Sequence, residues 1–243
     1  MTFLEAILLG LLQGITEFLP ISSSGHLVFF ESFLGLNVSG LKDFDIILHL
    51  GTLLAILLYF RREIFKPKTW PLLIAASVPA ALAGFFLEDY IDALFRNPIS
   101  VAIVMVVVGL LFFIPQKTHT ARLTYPRGIL IGIAQMFALI PGVSRSGSTI
   151  FTGTMLGLSR EEAAKFSFML GAIAIAGAGL LKTVDVDSST LPTATLSAGF
   201  LTSFLSSLLA VSFLMKFLRA HSLKVFGVYR VVVGLLVLGA LLI

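Results

Sequence analysis

The chain of 243 residues contains no cysteine. Disulfides and thiolate-held metals are therefore excluded, while the compartment stays open. Charge is scarce too: Asp, Glu, Lys and Arg make up 12% of the residues, about half the share of an ordinary soluble domain. The first residues, 2–12, lack the basic flank and A-x-A site of a cleaved signal peptide. A formal charge of +4 is too small for a nucleic-acid signature. It reflects the loops, as shown below.

What fills the chain is apolar: 57% of residues are hydrophobic and the mean hydropathy is +1.02. No soluble core of this length could hide that surface, so lipid must be the solvent for much of it. Six apolar stretches approach the roughly 20 residues needed to span a bilayer: 44–60, 71–87, 98–114, 163–181, 196–215 and 225–243. Pro98 stands at a helix start, where its missing N–H costs nothing. Pro79 lies mid-span, where neighbouring helices can satisfy the carbonyl it frees.

The chain also repeats itself at an offset of 122 residues. Residues 8–36 and 130–158 align without gaps, and ten of twenty-nine pairs are identical. The matches include Gly10/Gly132, Gln13/Gln135, Ser22/Ser144, Ser24/Ser146, Gly25/Gly147 and the Leu-Gly-Leu triplets 34–36 and 156–158. Each copy is an apolar helical run, a Pro, a Ser/Gly segment and a second short run. Neither arm is long enough to span, and polar backbone is not tolerated facing lipid. Both copies therefore read as hairpins that dip into the membrane and return to the same side.

Lys and Arg set the orientation. With 44–60 ending inside, the inner loops hold Arg61, Arg62, Lys66, Lys68, Lys117, Arg122, Arg127, Arg160, Lys165, Lys216, Arg219 and Lys224. The outer side receives Lys42, Arg96 and Lys182, with Glu88, Asp89, Asp92, Asp185 and Asp187. This is a positive-inside bias, and it places both termini outside. Three spans per half is an odd number, so the second half enters inverted. The fold expected is an all-α polytopic membrane protein: six transmembrane helices and two re-entrant helical hairpins in an inverted repeat. It forms one integral membrane domain of two halves, about 1–121 and 122–243. Sites in such architectures lie where the repeats meet, near the midplane.

The first hairpin brings Gln13, Glu17, Ser22, Ser23, Ser24 and His26 there, and the second brings Ser144, Arg145, Ser146, Ser148 and Thr149. Gln13 and Glu17 share a helix face at a spacing of four. Ionisable residues at membrane depth are costly and are functional candidates by default. Helix N-termini attract anions, and arginine adds a fork that matches phosphate oxygens. A dry phosphate site with a hydroxyl nucleophile and a nearby base is the chemical reading. Plainer roles exist for each residue. Ser and Gly can serve close packing alone, Glu17–Arg145 can be a structural pair, and His26 a hydrogen-bonded core residue. Arg230, inside the last span and outside any motif, reads as snorkelling or paired in the interior. His49 and Asp45 are placed to line the site mouth.

The runs from Gln13 to Glu17, Pro20 to His26 and Pro141 to Thr149 resemble the [E/Q]-x-x-x-E and P-G-x-S-R-S-x-x-T motifs of the BacA-type undecaprenyl pyrophosphate phosphatases, and the similarity covers essentially the whole chain. The resemblance implies a hydrolase of the bacterial inner membrane that converts undecaprenyl diphosphate to undecaprenyl phosphate, the carrier of cell-wall precursors, and a link to bacitracin resistance. It implies Glu17, Ser23, His26 and Arg145 as catalytic residues. By that resemblance Ser23 would be the best nucleophile candidate, Arg145 would hold the diphosphate, and Glu17 and His26 would assist proton transfer or metal binding. Gln13, Ser22, Ser24, Ser144, Ser146 and Thr149 would form the phosphate cradle. Glu17 would hold a divalent cation, Mg²⁺ or Ca²⁺. The active site would face outward. The partners expected are the prenyl diphosphate, membrane lipid and a second copy in a homodimer, with no nucleic acid. The family often has Glu at position 13 and Thr at position 24, so Glu17 is here the sole carboxylate of its motif. The scheme pairs Ser23 with His26 as base; a rival has His26 attack directly. An alternative from another class is a secondary transporter or flippase of an anionic prenyl-phosphate lipid, since broken helices in inverted repeats are typical of transporters.

Overall fold

A computed structural model describes residues 1–35, 42–64, 66–116, 121–182 and 192–242. Leu36, Lys117, Asp185 and Asp187 lie outside the described residues, as do the side chains of Lys42 and Lys182.

The described residues form helices and no strands. They are α1 (Phe3–Phe18), α2 (Ser23–Phe33), α3 (Lys42–Tyr59), the short α4 (Arg61–Ile64), α5 (Trp70–Phe95), α6 (Pro98–Leu111), α7 (Tyr125–Met136), α8 (Arg145–Met155), α9 (Arg160–Lys182), α10 (Thr193–Ala220) and α11 (Lys224–Leu242). Local chemistry explains the boundaries. Thr2 and Glu5 close a reciprocal capping box at the start of α1. Asn97 caps α6 by accepting from Ser100 N at 2.9 Å, with Pro98 in the first turn. The helices of 67–95, 160–180, 193–220 and 224–241 are long and apolar enough to cross a membrane. The stretches in α3 and α6 form shorter apolar helices, 44–59 and 98–111, the chain turning at Phe60 after the first and at Phe112 after the second. Large apolar side chains such as Phe85, Phe86, Leu209 and Leu236 stand exposed along these helices. A soluble surface does not carry apolar exposure on that scale; a multi-pass membrane protein does.

The two motif segments fold alike. Helices α2 and α8 begin and end at positions 122 apart, and each is capped by the preceding serine, which accepts from Gly25 N at 3.3 Å or Gly147 N at 3.1 Å. Both capping serines are left-handed, Ser22 at φ 75° and Ser144 at φ 72°. Non-glycine residues rarely adopt that conformation, and it gathers at functional sites.

Packing crosses between the halves. Helix α1 runs along α10, and α7 along α5. Equivalent glycines permit it: a Cβ on Gly10 would strike Thr202 and the Gly199 carbonyl, and one on Gly132 would strike the Ala76 carbonyl. Close approach of small residues is how helices associate where no water drives them together. Helix α9 is buried at the centre against α3, α5 and α8, around Phe18, Phe60 and Phe168.

Candidate active site

Glu17 is the hub. It lies in the last turn of α1, 8% exposed. Ser23 Oγ donates to its Oε2 at 2.6 Å, and Gln13 Nε2 donates to the same oxygen at 3.0 Å. Arg145 Nη2 donates to Oε1 in a buried ion pair. His49 Nε2 stands 3.7 Å from Oε2. Ser23 and Arg145 open their respective helices, so the side chains of the first residues of both helices meet on one carboxylate. The other Arg145 terminal nitrogen, Nη1, is buried without a partner. A buried guanidinium N–H is costly to leave unsatisfied; here it supplies a ready donor for an anion.

The sequence pairs Ser23 with His26, whereas the structure pairs it with Glu17. His26 is engaged at both ring nitrogens. Nδ1 meets the Ser22 carbonyl at 2.7 Å, and Nε2 meets Tyr229 Oη at 2.8 Å. A carbonyl only accepts, so Nδ1 carries the proton and Nε2 accepts from the tyrosine in the neutral ring. Tyr229 also stacks on the imidazole, with centroids 5.6 Å apart. In this geometry His26 holds the Ser22 turn in place.

The cradle residues divide. Ser22 and Ser144 serve as caps and sit 3.3 Å from the hydroxyls of Ser24 and Ser146. Ser146 Oγ donates across the hairpins to the Leu19 carbonyl at 3.1 Å. Thr149 is fully buried and engages the Arg145 carbonyl at 2.7 Å and Ser167 Oγ of α9 at 2.6 Å. Ser148 Oγ donates to the Arg145 carbonyl at 3.1 Å. Asp45 turns away from Glu17 to Arg96 at 2.7 Å, while its carbonyl accepts from His49 Nδ1 at 2.7 Å.

Two residues that carry the site have no motif to announce them. A Cβ on Gly171 of α9 would overlap the Arg145 guanidinium, so that glycine makes room for the side chain. Arg230 of α11 is completely buried. Its place inside a span was the only signal available.

Glu17 and the buried, unpartnered Oε1 of Gln13 are oxygen donors of the type that hard divalent cations take, and both Glu17 oxygens are engaged by Ser23, Gln13 and Arg145. No cluster of three His, Cys, Asp or Glu ligands exists among the described residues, so a complete protein cage is not the arrangement offered.

Fold and site together define a multi-pass membrane protein with a buried cluster of hydroxyls, an arginine and one carboxylate. The profile of the family described as Bacitracin resistance protein BacA matches residues 6–236, and the chain belongs to that family. Among curated relatives, it is 42% identical to an undecaprenyl-diphosphatase of Elusimicrobium minutum, the match covering 98% of each chain. It is 40% identical to one of Rubrobacter xylanophilus, again over 98% of each. It is also 40% identical to one of Streptococcus thermophilus, over 97% of this chain and 92% of the relative. These relatives carry a hydrolase name, and the transporter alternative finds no support among them.

Proposed function

We propose that the protein is an undecaprenyl-diphosphatase of the bacterial inner membrane, removing the terminal phosphate of undecaprenyl diphosphate to release undecaprenyl phosphate and inorganic phosphate. One observation carries the reading: Glu17 accepts from the Ser23 hydroxyl on one oxygen and from Arg145 on the other. A hydroxyl nucleophile, its base and its anion clamp thus meet on a single carboxylate, and one hydroxyl–carboxylate contact of 2.6 Å already has the geometry of proton transfer.

In this reading the chain has six spans and two re-entrant hairpins, with halves of about 1–121 and 122–243 inserted in opposite senses and the site open outward. The diphosphate sits between the N-termini of α2 and α8, its outer phosphate taken by Arg145 Nη1, and the prenyl tail stays in lipid. Ser23 Oγ attacks the outer phosphorus as its proton passes to Glu17. The bridging bond breaks and undecaprenyl phosphate leaves. Glu17 gives that proton to the departing oxygen, takes another from the water that attacks the seryl phosphate, and returns it to Ser23 Oγ as inorganic phosphate leaves and the serine is restored. Gln13 fixes the rotamer of Glu17, and Ser22, Ser24, Ser144 and Ser146 hold the two turns that aim the helix starts. A divalent cation held by Glu17 and Gln13 supplies neutralisation of phosphate charge when bound.

The test is phosphate release from a prenyl diphosphate by protein purified in detergent, where no second compartment exists. Wild type releases phosphate, and Ser23→Ala loses at least about a hundredfold in kcat. Full turnover in Ser23→Ala rules out the serine as nucleophile. A silent, folded wild type sinks the phosphatase reading itself.

A further inference from the structure

Arg230 is a charged side chain with no exposed surface. Among the described residues no carboxylate lies within ion-pair distance of it. Its two terminal nitrogens reach backbone carbonyls instead, Nη1 to Pro20 O at 3.3 Å and Nη2 to Gly142 O, while its buried Nε has no hydrogen-bond partner. The face of Phe112 lies 5.6 Å away. Pro20 and Gly142 are separated by the repeat offset of 122, so the two prongs of one guanidinium grip the same point in both copies of the motif. Pro20 lies three residues before Ser23, and Gly142 three residues before Arg145. The equivalent of Arg230 in the first half is Val108, so a single side chain serves both breaks.

These carbonyls are the ones a broken helix frees, and at membrane depth no bulk water satisfies them. A planar fork suits two acceptors held at a fixed spacing better than an ammonium does. The other contacts between the hairpins include the Glu17–Arg145 pair, whose carboxylate exchanges protons in the proposed reaction. Arg230 takes no part in that exchange. The adjacent Tyr229 engages His26, so one turn of α11 holds the first break through both residues.

We propose that Arg230 is a positioning residue: a clasp that holds the two helix breaks in register, and with them the spacing of Ser23 and Arg145. The inference rests on the site reading above. Without the clasp each hairpin keeps its own cap, yet the nucleophile and the anion clamp drift relative to each other. A misplacement of about 1 Å can cost a hundredfold in rate.

The test uses the full-length protein with Arg230→Met and Arg230→Lys, assayed for kcat and KM with a prenyl diphosphate well below the melting temperature. Because the chain has no cysteine, Phe33→Cys on α2 (Phe33 is 85% exposed) and Met155→Cys on α8 take spin labels specifically. The distance distribution between them reads hairpin register without any activity. We expect Arg230→Met to lose about a hundredfold in kcat, with KM within about threefold and a broadened distance distribution. Arg230→Lys should recover part of each and stay at least about tenfold below wild type, since it keeps charge without the fork. Wild-type kcat in Arg230→Lys means charge alone matters, and overturns the clasp. So does a kcat loss with unchanged distances, or an effect confined to KM. If Arg230→Met fails to fold, the lysine variant decides by the same criteria. If wild type releases no phosphate, the phosphatase reading fails, while the distance measurement still judges the clasp.

Discussion

At the residue scale, the arrangement at Glu17 sets the expected mutational pattern. Its two oxygens serve different partners, so its loss removes the acceptor of the Ser23 proton and the counter-charge of Arg145 together. Glu17→Gln should lower kcat by about a hundredfold or more, the usual contribution of a positioned base. An unchanged kcat would assign proton transfer elsewhere. Arg145→Lys keeps the charge and loses the fork; a drop of at least about tenfold in kcat/KM is expected, and near-normal turnover would count against the anion-clamp role. Gly171→Ala tests the same guanidinium from behind. The added methyl overlaps the tip of a flexible side chain, not backbone, so α9 should tolerate it while Arg145 is displaced. A clear loss of kcat/KM with a melting temperature near wild type is the result expected, and unimpaired kinetics would show that Arg145 can work from another rotamer. The motif made Ser23, Glu17 and Arg145 legible. It could not show which base faces the serine, because His26 lies only three residues from Ser23 in sequence yet points to Tyr229, more than two hundred residues away.

At the scale of elements, the strain of the hairpins is matched by their caps. Ser22 and Ser144 occupy a costly left-handed conformation and each offers its hydroxyl to the third residue beyond. Helices α1 and α7 are held by glycine contacts, and crowding those contacts acts on the fold and not on the chemistry. Gly132→Ala would press a methyl into the Ala76 carbonyl. Such overpacking costs about 1–3 kcal/mol and should appear as a lower melting temperature in detergent. A melting temperature equal to wild type would mean that α5 and α7 can part without penalty. Repeat spacing foretold that both segments break at the same place. The crossing of α1 onto α10 and of α7 onto α5 was invisible, since apolar helices offer many equivalent faces.

At the scale of the whole molecule, the distribution of basic residues makes a topological prediction. Exposed Lys68, before α5, and Lys224, which opens α11, fall on the inner side in the proposed arrangement, and Asp89 near the far end of α5 on the outer. Single cysteines at these positions in the otherwise cysteine-free chain should label accordingly from outside intact cells: Asp89→Cys readily, Lys68→Cys and Lys224→Cys only after permeabilisation. Labelling of Lys224→Cys together with Asp89→Cys from outside would break the inverted arrangement of the halves. The central burial of α9, with no such role suggested by its apolar pattern, follows from the need of both hairpins for a shared wall: Phe168 packs on Phe18 of α1 and Ser167 meets Thr149 of α8.

Composition by itself determined the solvent, because so little charge and so much apolar surface leave only lipid as a host. Periodicity and the internal repeat determined the helices and where two of them must break. Only the tertiary structure decided who meets whom at those breaks: Glu17 with Ser23, His26 with Tyr229, and Arg230 with the two freed carbonyls. The last two join groups far apart along the chain, and the first, across six residues, depends on how the chain turns between two helices. Their geometry depends on how whole helices cross, which no local pattern encodes.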